Sequence, residues 1–99
     1  MNSPQLQANE NGRISVTGEL TFNTVPALSL GVAEIFAPGK NIIIDLKEVG
    51  RTDSAGLALL IEWQREAVYR QCELGFENIP QQLMALAHVS GVDGLLSLQ

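Results

Sequence analysis

Nucleophilic catalysis needs a Ser, Thr or Cys beside a general base that a third group orients. This chain has one histidine, His88, and one cysteine, Cys72, in 99 residues. It lacks the G-x-S-x-G elbow that presents a hydrolase serine. One histidine and one cysteine give no zinc-ligand spacing. Neither G-x-x-x-x-G-K-[ST] nor G-x-G-x-x-G occurs, so no glycine-rich loop stands ready to cradle a nucleotide phosphate. His88 reads as a helical residue at or near the surface, and Cys72 as a thiol on an apolar helix face. The expectation is a protein with no catalytic residue, no metal and no cofactor.

The constellation left is Arg51-Thr52-Asp53-Ser54-Ala55-Gly56-Leu57-Ala58-Leu59-Leu60. Asp53 or Ser54 can cap a helix by accepting a bond from one of its free N–H groups. Gly56 lets another backbone come close, at a helix-propensity cost of up to about 1 kcal/mol against Ala. A hydroxyl at a helix N-terminus has a second use. A phosphate placed on Ser54 would meet unpaired N–H groups and the positive end of the helix dipole, and its charge would change any docking surface there.

The elements that must position this turn follow from periodicity. Leu6–Ala8 reads as a short strand, and Asn9-Glu10-Asn11-Gly12 as a hairpin turn in which glycine supplies positive φ. Arg13–Gly18 alternates strictly, as a half-buried strand does. Alternation breaks over Gly18–Thr24. Asn23 or Thr24 is then placed to cap a helix with Pro26 in its first turn and apolar residues at Val25, Leu28, Val32, Ile35 and Phe36. Pro38-Gly39 ends that helix.

Asn41–Leu46 contains three consecutive isoleucines, which suits a central strand buried on both faces. Lys47–Arg51 reads as a loop. Ser54 to about Gln71 is the longest helical pattern, with Leu57, Leu60, Ile61, Ala67, Val68 and Cys72 on one face. Leu59 and Trp63 fall away from that face, on the side of Glu66 and Arg70, so the wheel predicts an exposed Trp patch able to anchor a partner. Glu73–Glu77 alternates as a strand. Asn78-Ile79-Pro80 opens a last helix with Leu83, Met84, Leu86 and Ala87, and Leu95–Leu98 reads as a final edge strand. The order β-β-α-β-α-β-α, with or without that final β, predicts a single α/β domain over residues 1–99, with a mixed, mostly parallel sheet of four to five strands and helices packed on it.

Composition narrows the function. Eleven Asp/Glu against six Lys/Arg give a net charge of −5, and neither half is basic. Phosphate neutralisation needs a basic surface, so nucleic acid and anionic membranes are disfavoured as partners. The N-terminal Met1–Leu6 has neither a basic n-region nor an apolar h-region, and apolar runs such as Leu57–Ile61 fall far short of a membrane span. A soluble, cytoplasmic protein is expected.

Asp53-Ser54-Ala55-Gly56-Leu57, preceded by the Ile42-Ile43-Ile44-Asp45-Leu46 strand, resembles the signature of STAS domains, the anti-sigma-factor antagonist family. Gly18-Glu19-Leu20-Thr21-Phe22-Asn23-Thr24-Val25-Pro26-Ala27-Leu28 resembles the family's earlier segment, where a strand ends in a Gly-x-Leu turn before the first helix. Gly56–Trp63, Phe76–Pro80 and Leu86–Val92 are similar to the MlaB-like branch, the small STAS subunits of phospholipid-transport ABC complexes. The resemblance implies a STAS fold and a non-enzymatic module that docks onto a partner through Thr52, Asp53, Ser54, Ala55 and Gly56. The wheel extends that contact to Leu59, Trp63 and Arg70. In the MlaB-like branch the partner is the MlaF-like ATPase subunit of an ABC transporter that includes a permease, which places the module at the inner membrane through its partner. In the antagonist branch it is an anti-sigma kinase that phosphorylates the residue at the position of Ser54.

Overall fold

The computed structural model describes residues 5–8, 12–28, 35–94 and 96. Its elements run β1 (Gln5–Ala8), β2 (Arg13–Leu20), α1 (Val25–Leu28), β3 (Asn41–Asp45), β4 (Val49–Thr52), α2 (Ser54–Tyr69), β5 (Glu73–Glu77) and α3 (Gln81–Val89). The five strands form one sheet in the order β1-β2-β3-β5, with β4 also paired to β2. Only β1 runs antiparallel to its neighbour. The pairings β2–β3, β2–β4 and β3–β5 are parallel. The expected mixed, mostly parallel sheet is what forms, and its fifth strand is β4, in a stretch that reads as a loop.

The central strand is β3, between β2 and β5, as its isoleucines predict. Its burial nevertheless alternates. Ile42 and Ile44 enter the core, while Ile43 points to the other face and is only half-buried. That second face is polar: the Arg13 guanidinium from β2 crosses over to pair with Glu77 of β5.

Two boundaries differ from the sequence reading. The stretch 47–51 is not all loop. The turn at Leu46 closes when the Val49 N–H donates to the Leu46 carbonyl (3.1 Å), and β4 then pairs with the far half of β2. Likewise β2 does not end at Gly18 but continues to Leu20, with a register shift against β4 between those residues. A four-residue strand with one buried side chain, Thr52, leaves too little periodicity to read in one dimension.

The long helix expected from Val25 to Phe36 is helical over Val25–Leu28, while Ile35 and Phe36 lie in a turn and a bend. Residues 29–34 lie outside the described residues. So do residues 9–11 of the expected hairpin turn and, except for Leu96, the expected final strand. Leu96 is buried in a turn, donating to the Asp93 carbonyl. Gly12 closes the β1–β2 connection with φ +76°, and a Cβ there would stand 2.7 Å from the Asn41 carbonyl oxygen. That contact leaves room for glycine alone.

One core joins the elements. Val16, Leu20, Ile42, Ile44 and Leu74 from the sheet meet Leu57, Leu59, Leu60, Trp63 and Ala67 from α2, with Leu83 and Ala87 from α3. Cys72 is buried at its margin, and loss of hydration pushes its thiol pKa up.

At the carboxyl end of β3 the Asp45 carboxylate accepts from the Asn78 side-chain amide and the Lys47 N–H, each at 2.9 Å. These bonds, the Asn78 bond foremost, hold its pKa below the ordinary carboxylate value. A carboxylate depressed in the folded state contributes stability that is present above its unfolded pKa of about 3.9 and is lost as pH falls through the lower folded value. The urea midpoint should therefore decline as pH is taken below about 4. In Asp45→Asn that part of the decline should be missing, which paired urea titrations of the two proteins would measure.

Candidate partner-docking site

The site forms where β4 hands over to α2. Asp53 sits between them in extended conformation (φ −143°, ψ −168°), and its N–H donates to the Leu20 carbonyl at the end of β2 (3.1 Å). Its carboxylate then works in two directions. Oδ1 accepts the Ala55 N–H at 2.9 Å and caps α2, while Oδ2 accepts the Phe22 N–H at 3.0 Å and holds the turn that follows β2. Of the two residues able to cap the helix, Asp53 does it.

Ser54 is thereby released from capping. It is the first residue of a sixteen-residue helix, and its side chain is exposed. Ala55 beside it is half-buried, and Gly56 is buried against β2. A Cβ at Gly56 would lie 2.9 Å from the Leu20 carbonyl oxygen, 3.1 Å from the Leu20 Cβ and 3.5 Å from Leu83 Cδ2. Glycine here is what lets the helix start directly on the strand end and on α3. Thr52 is buried too, and its hydroxyl donates to Gln82 Oε1 of α3 at 3.2 Å. Thr52 and Gly56, expected in the contact, are instead buried and hold the turn in place from below, while Ser54 is exposed and Asp53 and Ala55 are partly open.

Three residues expected in the contact stand elsewhere. Leu59 and Trp63 are core residues, 2% and 1% exposed, so the Trp patch predicted by the wheel does not face solvent. The face is rotated. The side of α2 that meets water carries Ser54, Ala58, Glu62, Arg65, Val68 and Tyr69, and Val68, expected in the core, is 70% exposed. The cause is that α2 packs against α1, α3 and β5 at once, so neighbours cover it on more than one side. Arg70 follows the helix, about 24 Å along its axis from Ser54 at 1.5 Å per residue, and is tied to Glu66 at 2.5 Å. It lies outside the Ser54 turn.

One residue bonded to this turn escaped the sequence reading. Phe22 leads the turn after β2 and is 79% exposed, brought to the start of α2 by the Asp53 carboxylate. The available signal was the break in alternation at Gly18–Thr24, which places a large apolar residue where no core position exists. His88 is on the surface beside Asp93, at 3.3 Å. No group of three or more His, Cys, Asp or Glu among the described residues is arranged to hold a metal, and none of their helices is long and apolar enough to cross a membrane.

The family model described as "Mlab, STAS domain" matches residues 5–97. The chain belongs to the STAS family. This STAS domain is 23% identical over 94 residues to the anti-sigma-B factor antagonist of Bacillus subtilis, covering 94% of the chain and 86% of that protein. Its fold matches an anti-sigma factor antagonist from Mycobacterium paratuberculosis with a TM-score of 0.71 at 21% identity, over 99% of the chain and 85% of that one. It also matches the anti-sigma factor antagonist SpoIIAA in its unphosphorylated form, with a TM-score of 0.69 at 17% identity, over 94% of the chain and 84% of the other.

Proposed function

We propose that this STAS domain is a non-enzymatic docking module that binds a partner protein through the Ser54 turn, and that charge placed on Ser54 undoes the contact. The observation that carries the reading is the division of labour at the helix start. Asp53 caps α2, so the exposed Ser54 hydroxyl at the positive helix end has no structural task. The names of the relatives support an anti-sigma factor antagonist. In that reading the partner is an anti-sigma kinase and Ser54 accepts the phosphoryl group.

A second reading is supported by the description of the family model that spans the chain. There the partner is the ATPase subunit of an ABC transporter for phospholipids, and Ser54 is a fixed contact. In both readings the module acts as one domain in the cytoplasm, and in the second it reaches the inner membrane only through its partner.

Calorimetric titration of the purified protein with each partner class from the same organism, the anti-sigma kinase and the ABC ATPase, separates the readings. Incubation with the kinase and ATP should add one phosphoryl group at Ser54 if the first holds, and should leave the mass unchanged if the second does. Ser54→Glu should weaken binding at least about tenfold, an interface effect of 1.4 kcal/mol or more. Its melting temperature should stay within about 2 °C of wild type, since the substitution is exposed and a carboxylate suits a helix N-terminus. Unchanged affinity of Ser54→Glu for the bound partner would remove the docking reading.

A further inference from the structure

The geometry points to Phe22 as the apolar anchor of the docking surface, held ready beside Ser54 by the Asp53 carboxylate. The inference rests on the docking reading above and names the chemistry that its partner must present.

An exposed phenylalanine by itself carries no meaning, because single apolar residues on a surface are common. What sets Phe22 apart is how firmly its backbone is held. The turn from Thr21 to Val25 is closed by Thr24 N–H and Val25 N–H, both donating to the Thr21 carbonyl at 2.9 Å. The Thr24 hydroxyl accepts the Thr21 N–H at 2.9 Å and donates to the Glu19 carbonyl at 2.6 Å, fastening the turn to the end of β2. The Phe22 N–H is fixed separately, across 31 residues of sequence, by Asp53 Oδ2. Every bond in this set holds backbone, and none covers the ring. An aromatic side chain on a fixed backbone has only two torsions to lose on binding, so it brings large contact area at low entropic cost.

The same carboxylate caps α2, so the Phe22 backbone and the Ser54 backbone are tied to one group. Both residues are exposed and joined through that carboxylate, so one partner surface can cover the two. The occupant is a protein with an apolar pocket for the ring and a neutral or basic rim. The chain's net charge of −5 opposes a second copy of itself, an anionic membrane or a nucleic acid at this face. Asp53 is then a positioning residue for Phe22 as well as the cap of the helix start that carries Ser54.

The test measures the affinity of wild type, Phe22→Ala, Ser54→Glu, Asp53→Ala and the Asp53→Ala/Phe22→Ala double variant for whichever purified partner binds, anti-sigma kinase or ABC ATPase. Melting temperature and gel filtration are run on each. Phe22→Ala should weaken binding about 30-fold or more, the threshold of an interface hot spot, with an unchanged melting temperature. Asp53→Ala should weaken binding more in the wild-type background than in the Phe22→Ala background, because the part of its effect that passes through Phe22 is then already lost and only the part through the cap of α2 remains. Affinity of Phe22→Ala within about threefold of wild type, alongside a loss in Ser54→Glu, overturns the anchor and leaves the docking reading standing. A large drop in melting temperature for Phe22→Ala makes the ring a packing residue and overturns it too. A wild-type dimer that Phe22→Ala dissociates identifies a second copy as the occupant, against the inference. If wild type binds neither protein, both the docking reading and the anchor fall.

Discussion

Trp63→Ala should unfold this domain at a much lower temperature, with a loss of about 3–5 kcal/mol, the range for truncating a core aromatic. Trp63 is 1% exposed and is the largest of the fully buried side chains. It packs in one cluster with residues of the sheet and of α3, so the void left by alanine borders several elements and cannot close by moving one. A domain of 99 residues has roughly 5–15 kcal/mol in total, so this one change takes a large share of it. At about 4–8 °C per kcal/mol for domains of this size, the midpoint should fall by at least about 12 °C. Calorimetric melting measures it. Trp63→Phe keeps most of the ring volume and gives up the indole N–H, which finds no acceptor among the described residues, so it should cost much less than alanine. Val68→Ala is the contrast. Helical spacing puts Val68 in the core, but at 70% exposure its truncation should stay within about 0.5 kcal/mol of wild type. A midpoint that moves more for Val68→Ala than for Trp63→Ala would mean that α2 is rotated from the face described above.

Gly56→Ala should destabilise the protein even though alanine is the better helix former. The added Cβ meets the Leu20 backbone oxygen at 2.9 Å and the Leu20 Cβ at 3.1 Å. Neither is the end of a flexible side chain. Leu20 is a β2 residue whose carbonyl also receives the Asp53 N–H, so the strand end cannot withdraw without disturbing the capping residue. Overpacking of this kind costs about 1–3 kcal/mol, against a propensity gain of up to about 1 kcal/mol, and with the full gain the balance is a loss of up to roughly 2 kcal/mol. Gly56→Val, with two more carbons and a stiff χ1, should lose more. Because the shift occurs at the joint between β2 and α2, these variants should also weaken partner binding, which separates them from Ser54→Glu. Denaturant melts and the calorimetric titration on the same samples measure both effects. A Gly56→Ala protein more stable than wild type would show that the helix start stands further from β2 than described.

The two variants mark how far one-dimensional reading carries. Gly56 was visible beforehand as a small residue in a first helical turn, where its cost against alanine asks for a reason, and the reason is the Leu20 carbonyl. Strands β1, β2, β3 and β5 and helices α2 and α3 were legible from alternation and helical spacing, and the mixed, mostly parallel sheet from their order. β4 was not, since four residues with one buried side chain have no period to detect.

What the sequence by itself determined is therefore local: the order of most elements, the β3 centre of the sheet, and a capped helix start at Asp53 and Ser54. What only the tertiary structure decided is which side of each element meets water. Helix α2 carries apolar residues at positions 57, 59, 60, 61, 63, 67 and 68, a distribution that fits more than one buried face. The choice belongs to the neighbours, because burial depends on how many surfaces press on a helix, and α1, α3 and β5 all press on this one. The same holds for the proposed docking surface. Its Ser54 half lies in one continuous motif, and its Phe22 half joins it through a single carboxylate bond spanning 31 residues, which no local pattern encodes.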